Sequence, residues 1–277
     1  MAGKLILCAT PIGNLEDITV RVLNTLKEVD YIAAEDTRHT LKLLNHYGIS
    51  KPLISYHEHN MHKAGDRIFT LIAEGNDVAL VSDAGMPGIS DPGSELVKEA
   101  WERGIAPTVL PGPTAFAAAL VLSGLSTDRF AFEGFLPNKK SERYEWLNNL
   151  KDEERTMIFY EAPHRLMDTL NEMSKIFGGD RKGAVLRELT KIHEEVVRGN
   201  LDEIIDHFKD RDIKGELVIV LEGLSHDDRL YSFKDITIKE HIEKYMECGL
   251  SKKEAVKQVA RDRGIPKSEV YKHSINI

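Results

Sequence analysis

The sequence predicts an α/β protein of two domains followed by a small helical C-terminal unit. Short apolar runs rich in β-branched residues alternate with longer segments of 3.6-residue period, the pattern of strands joined by crossover helices in a largely parallel sheet. Pro111, Gly112 and Pro113 break that pattern before a second alternating set begins. At 277 residues the chain is long enough to divide into two cores. From Ser232 onward ten Lys or Arg stand against seven Asp or Glu, although the whole chain carries a net charge of −8.

Taken in order, the first domain (1–112) places strands at 5–9, 31–34, 78–82 and 106–110. Asn14, with Asp17 three residues on, caps a helix whose buried face is Ile18, Val22, Leu26 and Val29. A second helix runs over 64–74 and ends at Gly75. A third runs over 92–103, with Asp91 as its cap and Pro92 in its first turn, and ends at Gly104. The second domain (113–225) opens on a nearly apolar helix at 114–122 closed by Gly124. It continues with strands at 130–135, 156–160, 183–188, 193–197 and 216–222, and helices near 142–150, 165–177 and 201–208. A linker at 225–228 leads to the tail (226–277). There Ser251 and Glu254 form a capping pair, Ala255, Val259 and Ala260 make a small apolar face, Gly264 ends the helix, and 266–272 starts another. This unit is either a helical appendage packed on its own protein or a nucleic-acid module, and the small positive excess favours the former.

Composition excludes several classes. With 42% hydrophobic and 30% charged residues, extensive disorder does not fit. Cys8 and Cys248, at opposite ends, cannot make a disulfide framework or a Cys-rich zinc site, which points to a reducing, cytoplasmic setting. The first apolar run is stopped by Pro11 and Gly13, too soon for a signal h-region or a membrane span.

Four clusters look like parts of a site. Thr10, Pro11 and Gly13 follow the first strand, where free helix N–H groups face the carboxyl edge of the sheet, but the glycine and lysine pattern of NAD and ATP loops is missing. Between Ser82 and Gly93 lie Asp83, Gly85, Met86, Gly88, Ile89 and Asp91, far more conformational specification than a plain strand-to-helix connection needs, so a ligand crevice is expected. Asp83 either orders a polar ligand group or closes an Asx-turn. Glu35, Asp36 and Arg38 follow the second strand, and His57, Glu58 and His59 occupy another loop. Arg38 can meet a phosphate, and Glu35, Asp36, His57 or Glu58 can accept a proton. The histidine spacing matches no recognised metal motif, so structural roles are favoured and no metal is expected. Carboxylate and cation stand together at Glu161–Arg165 and at Arg187, Glu188 and Lys191, as intradomain ion pairs or a cleft wall. Lys139, Lys140 and Arg143 form a basic edge.

These clusters, in this order, resemble the tetrapyrrole methylase superfamily and, within it, the bacterial ribosomal RNA small-subunit 2'-O-ribose cytidine methyltransferase family. The resemblance is carried by ATPIGNLEDIT (9–19), AAEDTRHT (33–40), SYHEHN (55–60), VSDAGMPGISDPG (81–93), LPGPTA (110–115), FEGFLP (132–137), FYEAPHRL (159–166) and RELTKIHEE (187–195). It implies a two-domain fold with S-adenosylmethionine in the cleft between the domains, a homodimer, and a cytidine in the decoding region of 16S ribosomal RNA, free or in the assembled small subunit, as substrate. The implied cofactor-lining residues are Thr10, Pro11, Gly13, Ser82, Asp83, Gly85, Met86, Ile89, Leu110, Pro111, Thr114 and Ala115, with Phe159 and Leu221 touching the adenosine from the second domain. A base near the transferring methyl is sought among Asp83, Glu35, His57 and Glu58, with Arg38 and Lys191 on flanking phosphates. The alternatives are methylation of a tetrapyrrole precursor on the same fold and a non-catalytic RNA-binding assembly protein.

Overall fold

The computed structural model describes residues 2–224, 236–247 and 250–275. The expected linker at 225–228 and Cys248 lie outside the described residues. Two five-stranded sheets organise the rest.

The first sheet has strands β1 (Leu5–Cys8), β2 (Tyr31–Ala34), β3 (Leu53–Ser55), β4 (Val78–Val81) and β5 (Thr108–Leu110) in the order β3-β2-β4-β1-β5, all parallel. Its central strand, β4, is buried at every position, as an unbroken Val-Ala-Leu-Val run should be when helices cover both faces. Helices α1 (Val20–Glu28) and α2 (Thr37–His46) cover one face through Val22, Leu26 and Leu44 against Cys8, Ile32 and Ala79. Helices α3 (Met61–Ala73) and α4 (Gly93–Glu102) cover the other through Ile68, Ile72, Leu96 and Ala100 against Leu5, Leu7, Val78 and Leu80. Burial pushes the Cys8 thiol up to about 12, which leaves it unreactive at neutral pH.

The local structure differs from the expectation at four points. Asn14 caps only a 3₁₀ turn, Leu15–Asp17, and α1 starts later, where the Thr19 hydroxyl accepts the Val22 N–H. Helix α2 and strand β3 were not expected. Asp91 acts one residue outside the assigned cap position, where its carboxylate accepts the N–H groups of Gly93 and Gly88 at 2.7 and 2.9 Å.

The second sheet comprises β6 (Phe130–Phe135), β7 (Thr156–Glu161), β8 (Lys182–Arg187), β9 (Glu195–Asn200) and β10 (Leu217–Leu221) in the order β6-β7-β10-β8-β9. Only β6 and β7 run parallel; the other pairs are antiparallel. Helix α5 (Ala115–Ser123), ended by Gly124 at φ 64°, packs on one face with Ile158, Ala184, Leu186, Val218 and Val220. Helices α6 (Lys140–Asn149), α7 (Leu166–Phe177) and α8 (Leu201–Phe208) pack on the other with Met157, Phe159, Val185, Ile219 and Leu221. A buried bidentate pair joins α6 to α7, Arg143 Nε to Glu172 Oε2 at 2.7 Å and Nη2 to Oε1 at 3.0 Å. Arg143 is therefore not part of a surface basic edge. It is turned inward to meet Glu172 on the facing helix.

Helices α9 (Ile238–Glu247), α10 (Lys252–Asp262) and α11 (Lys267–His273) enclose a small core of Ile242, Ala255, Val256, Val259 and Val270. The Ser251–Glu254 capping box forms as expected. Among the described residues no helix is long and apolar enough to cross a membrane.

Candidate functional site in the cleft between the sheets

The carboxyl ends of β2 and β4 face the α5-covered side of the second sheet across a cavity of about 410 Å³. The 82–93 segment forms one wall and is tied down at several points. Thr10 and Gly85 exchange backbone hydrogen bonds at 2.8 and 3.0 Å, and the Thr10 hydroxyl donates to the Ser82 carbonyl. The Ser82 hydroxyl donates to the carbonyls of Ala84 and Gly85. Gly85 holds φ at 80°, a value a side chain would strain, and this bends the chain back onto β1. The wall therefore stands before a ligand arrives.

Of the expected residues, Glu35, Ser82, Asp83, Gly85, Met86, Ile89, Thr114 and Ala115 line this cavity. Asp83 is anchored by the Asp36 N–H, which donates to its Oδ1 at 3.0 Å. Burial, then the charges of Asp83, Asp91 and Asp36, raises the Glu35 carboxyl above its ordinary pKa. Asp91 is also raised by burial, against the opposing effect of the N–H groups it accepts.

Several expected residues stand elsewhere. Phe159 and Leu221 are fully buried in the core beneath α7 and α8, on the opposite face of the second sheet. Successive strand residues alternate faces, so Tyr160, paired in register with Val218, takes the cleft side instead. Leu110 is buried between α1 and the first sheet, and Pro111 is exposed. Gly13 leaves room for protein rather than ligand: a Cβ there would meet the Leu189 carbonyl and the Thr190 hydroxyl at 2.7 Å. The Asn14 N–H donates to that same hydroxyl at 3.1 Å, so the 9–14 turn joins the two units. Thr10 braces the wall, and neither it nor Pro11 lines the cavity, a place taken by Ile12.

Arg38, in the first turn of α2, folds back onto Asp36 at 2.6 Å and holds that carboxyl far below the usual range. His57 and Glu58 follow edge strand β3, where Asn60 accepts the His57 N–H, and neither lines the cavity. Burial would lower the Lys191 pKa, but its bonds to Glu188 and Glu216 outweigh that and raise it. Among the described residues no group of His, Cys, Asp or Glu is arranged to hold a metal ion.

The 160–165 cluster, open between ion pairs and a cleft wall in the sequence, supplies cavity lining through Tyr160 and Glu161, whereas Ile12, Phe135, Leu186 and Val218 line the cavity without having been expected there. Burial raises the Tyr160 phenol, and the Phe116 N–H in the first turn of α5 counteracts part of that rise. The arrangement offers apolar walls, an open helix N-terminus and a carboxyl of raised pKa in one concavity of the size that small molecules occupy.

A profile of the tetrapyrrole (corrin/porphyrin) methylases matches residues 4–205. The chain is 49% identical over 271 residues to a protein of Halalkalibacterium halodurans named ribosomal RNA small subunit methyltransferase I, covering 97% of this chain and 93% of that protein. It is 47% identical to a Synechocystis protein of the same name, covering 99% and 98%. A Thermotoga maritima protein of that name is 51% identical, covering 80% of this chain and 99% of its own length. Two solved structures share the fold: uroporphyrin-III-C-methyltransferase from Thermus thermophilus, with a TM-score of 0.56 at 19% identity over 80% of this chain and 93% of that one, and cobalt precorrin-4 methyltransferase, with 0.62 at 17% over 79% and 94%.

Proposed function

The chain belongs to the tetrapyrrole (corrin/porphyrin) methylase family, and from that premise we propose that it methylates the 2'-oxygen of a cytidine ribose in the decoding region of 16S ribosomal RNA, using S-adenosylmethionine. The observation that carries the substrate is identity of 47–49% along nearly the whole chain to proteins named for small-subunit ribosomal RNA methylation. The likeness to the two tetrapyrrole enzymes, at 17–19% identity, speaks for the fold alone.

The cavity suits the cofactor on its own evidence. Its volume lies in the roughly 300–1,000 Å³ range of small-molecule pockets, and it joins apolar surface to a few polar groups. Met86, Ile89, Leu186 and Val218 provide the apolar surface, while the backbone of Ser82 to Gly85 and the start of α5 at Thr114 and Ala115 provide the polar contacts. When bound, S-adenosylmethionine supplies a methyl group already activated by its sulfonium. The chain must align the ribose hydroxyl and take its proton. Glu35 is the group we assign to the proton: it lines the cavity, burial raises its pKa, and no hydrogen bond engages it among the described residues. Asp83 is held by Asp36 and Asp91 by Gly88 and Gly93, so both serve the wall. Arg38 stands exposed at the end of β2 as a phosphate contact. The protein acts in the cytoplasm as a homodimer, with residues 1–112 and 113–225 as the two units around the cleft.

Labelled S-adenosylmethionine offered with unmodified small ribosomal subunits, free small-subunit RNA and a tetrapyrrole precursor in parallel tests the reading. Label in RNA is expected. Label only in the tetrapyrrole would move the substrate to the other branch of the family, and binding without transfer would favour an assembly role.

A further inference from the structure

Beside the cleft lies a second depression of about 470 Å³ that shares Pro163 and Gly215 with it. One side is the turn Pro163–Arg165 with exposed His164; the other is the 211–215 connection between α8 and β10, with Arg211 and Lys214. That connection is fixed in place. Ile213 packs on the core beneath α7 and α8, Arg187 Nη1 donates to the Lys214 carbonyl at 3.3 Å, and Gly215 takes φ 93° with the Glu188 carboxyl where a Cβ would stand. Its cations are thus presented on a backbone that needs no further ordering.

The local charge favours an anion. Glu195 accepts from Arg211 at 2.8 Å, from Arg187 at 3.0 Å and contacts His207 at 3.1 Å, so one carboxylate answers two guanidiniums and an imidazole. Only Nη1 of Arg211 is engaged among the described residues, which leaves its remaining N–H groups for a ligand. Lys214 pairs with Asp212 at 2.7 Å, but both side chains are 79% exposed, and such a pair is weak enough for a phosphate to displace.

A ribose methylated inside a polymer must pass its flanking phosphodiesters out of the cleft, and a chain of charge −8 needs local cations where they emerge. We infer that this depression holds the RNA backbone next to the target nucleoside, with Arg211 and Lys214 on phosphate oxygens. The inference rests on the ribosomal RNA reading above.

The test is methyl-transfer kinetics on unmodified small ribosomal subunits at fixed magnesium and varied KCl. The proteins are wild type, Lys214→Glu, Arg211→Gln and, as a matched charge change before the start of β7, Lys151→Glu. For the two groove variants the KM for subunits should rise about five-fold or more and the salt slope should flatten by about one contact each. Their kcat and calorimetric affinity for S-adenosylmethionine should stay within about two-fold of wild type, as should every parameter of Lys151→Glu. Among the described residues the Lys214 side chain pairs only with exposed Asp212, so its variant stays informative even if Arg211→Gln loses stability. Unchanged KM in Lys214→Glu, an equal rise in Lys151→Glu, or a parallel loss of cofactor affinity would overturn the inference. A wild-type protein that labels no subunits would instead overturn the RNA reading first, and this inference with it.

Discussion

Glu35 is an acid whose charged form the fold disfavours, through burial first and then the carboxylates of Asp83, Asp91 and Asp36. An acid raised above its unfolded value adds stability only at low pH and loses it as pH rises through the folded value, so ionised Glu35 destabilises the protein at neutral pH. Glu35→Gln should therefore raise the melting midpoint at pH 7, with the gain fading as pH falls toward the ordinary glutamate range. The same change should lower kcat by about 10²–10⁴-fold. Calorimetric melts and initial rates check both, and a fully active variant would remove Glu35 from proton transfer. The Arg143–Glu172 pair has the opposite sign: the Arg143 hydrogen bonds lower the Glu172 pKa, so its stability is present above the ordinary glutamate value and is lost as pH falls through the lowered one. Arg143→Ala, which strands a buried carboxylate, should cost about 3–5 kcal/mol in denaturant unfolding. The place of Ser82, Asp83, Gly85 and Ile89 in the cavity wall is legible because unusual turn chemistry is crowded into one loop. Phe159 and Leu221 were misplaced because Thr156–Glu161 and Leu217–Leu221 are apolar on both faces, and alternation alone does not say which face meets the ligand.

The turn at 9–14 and the loop at 188–191 form an element-level joint. Glu188 and Thr190 hold φ at 54° and 65°, uncommon for residues with side chains, and the Thr190 hydroxyl is bonded across to Asn14. Gly13→Ala would press a methyl group into this joint; we expect a loss of about 1–3 kcal/mol of stability and weaker S-adenosylmethionine binding by calorimetry. An unperturbed variant would show that the joint yields freely. In the tail, burial, then Arg263, pushes the His241 imidazole down to about 4 despite Asp262. A depressed imidazole adds stability above its unfolded pKa and loses it as pH falls, so the tail should loosen between about pH 6.5 and 4. Following the His241 ring and the Val259 methyls by NMR would show this, and unchanged tail methyl signals at pH 4 would contradict it. The parallel order of the first sheet follows from its strand–helix alternation. Strand β3 leaves no signal in the sequence because three residues carry no period, and α2 is masked because the polar run at its start, Asp36 to His39, resembles site chemistry. The placement of β10 between β7 and β8 leaves no local signature, since Leu217–Leu221 is apolar throughout and pairs with partners far away in sequence.

For the whole molecule, the two sheets bring the ends of β2, β4, β7 and β10 to one cavity, while the positive tail offsets part of an acidic body. Removing residues 232–277 should raise the KM for small ribosomal subunits while leaving S-adenosylmethionine affinity within about two-fold; equal loss of both would give the tail a structural role. Mass analysis of nucleosides from unmodified small subunits treated with the protein and labelled S-adenosylmethionine tests the proposed methylation of a cytidine ribose in this cleft. The labelled product is expected to be 2'-O-methylcytidine, formed about 10²–10⁴-fold more slowly when Glu35→Gln replaces the wild-type protein. Label on a base, or on the ribose of another nucleoside, would contradict it.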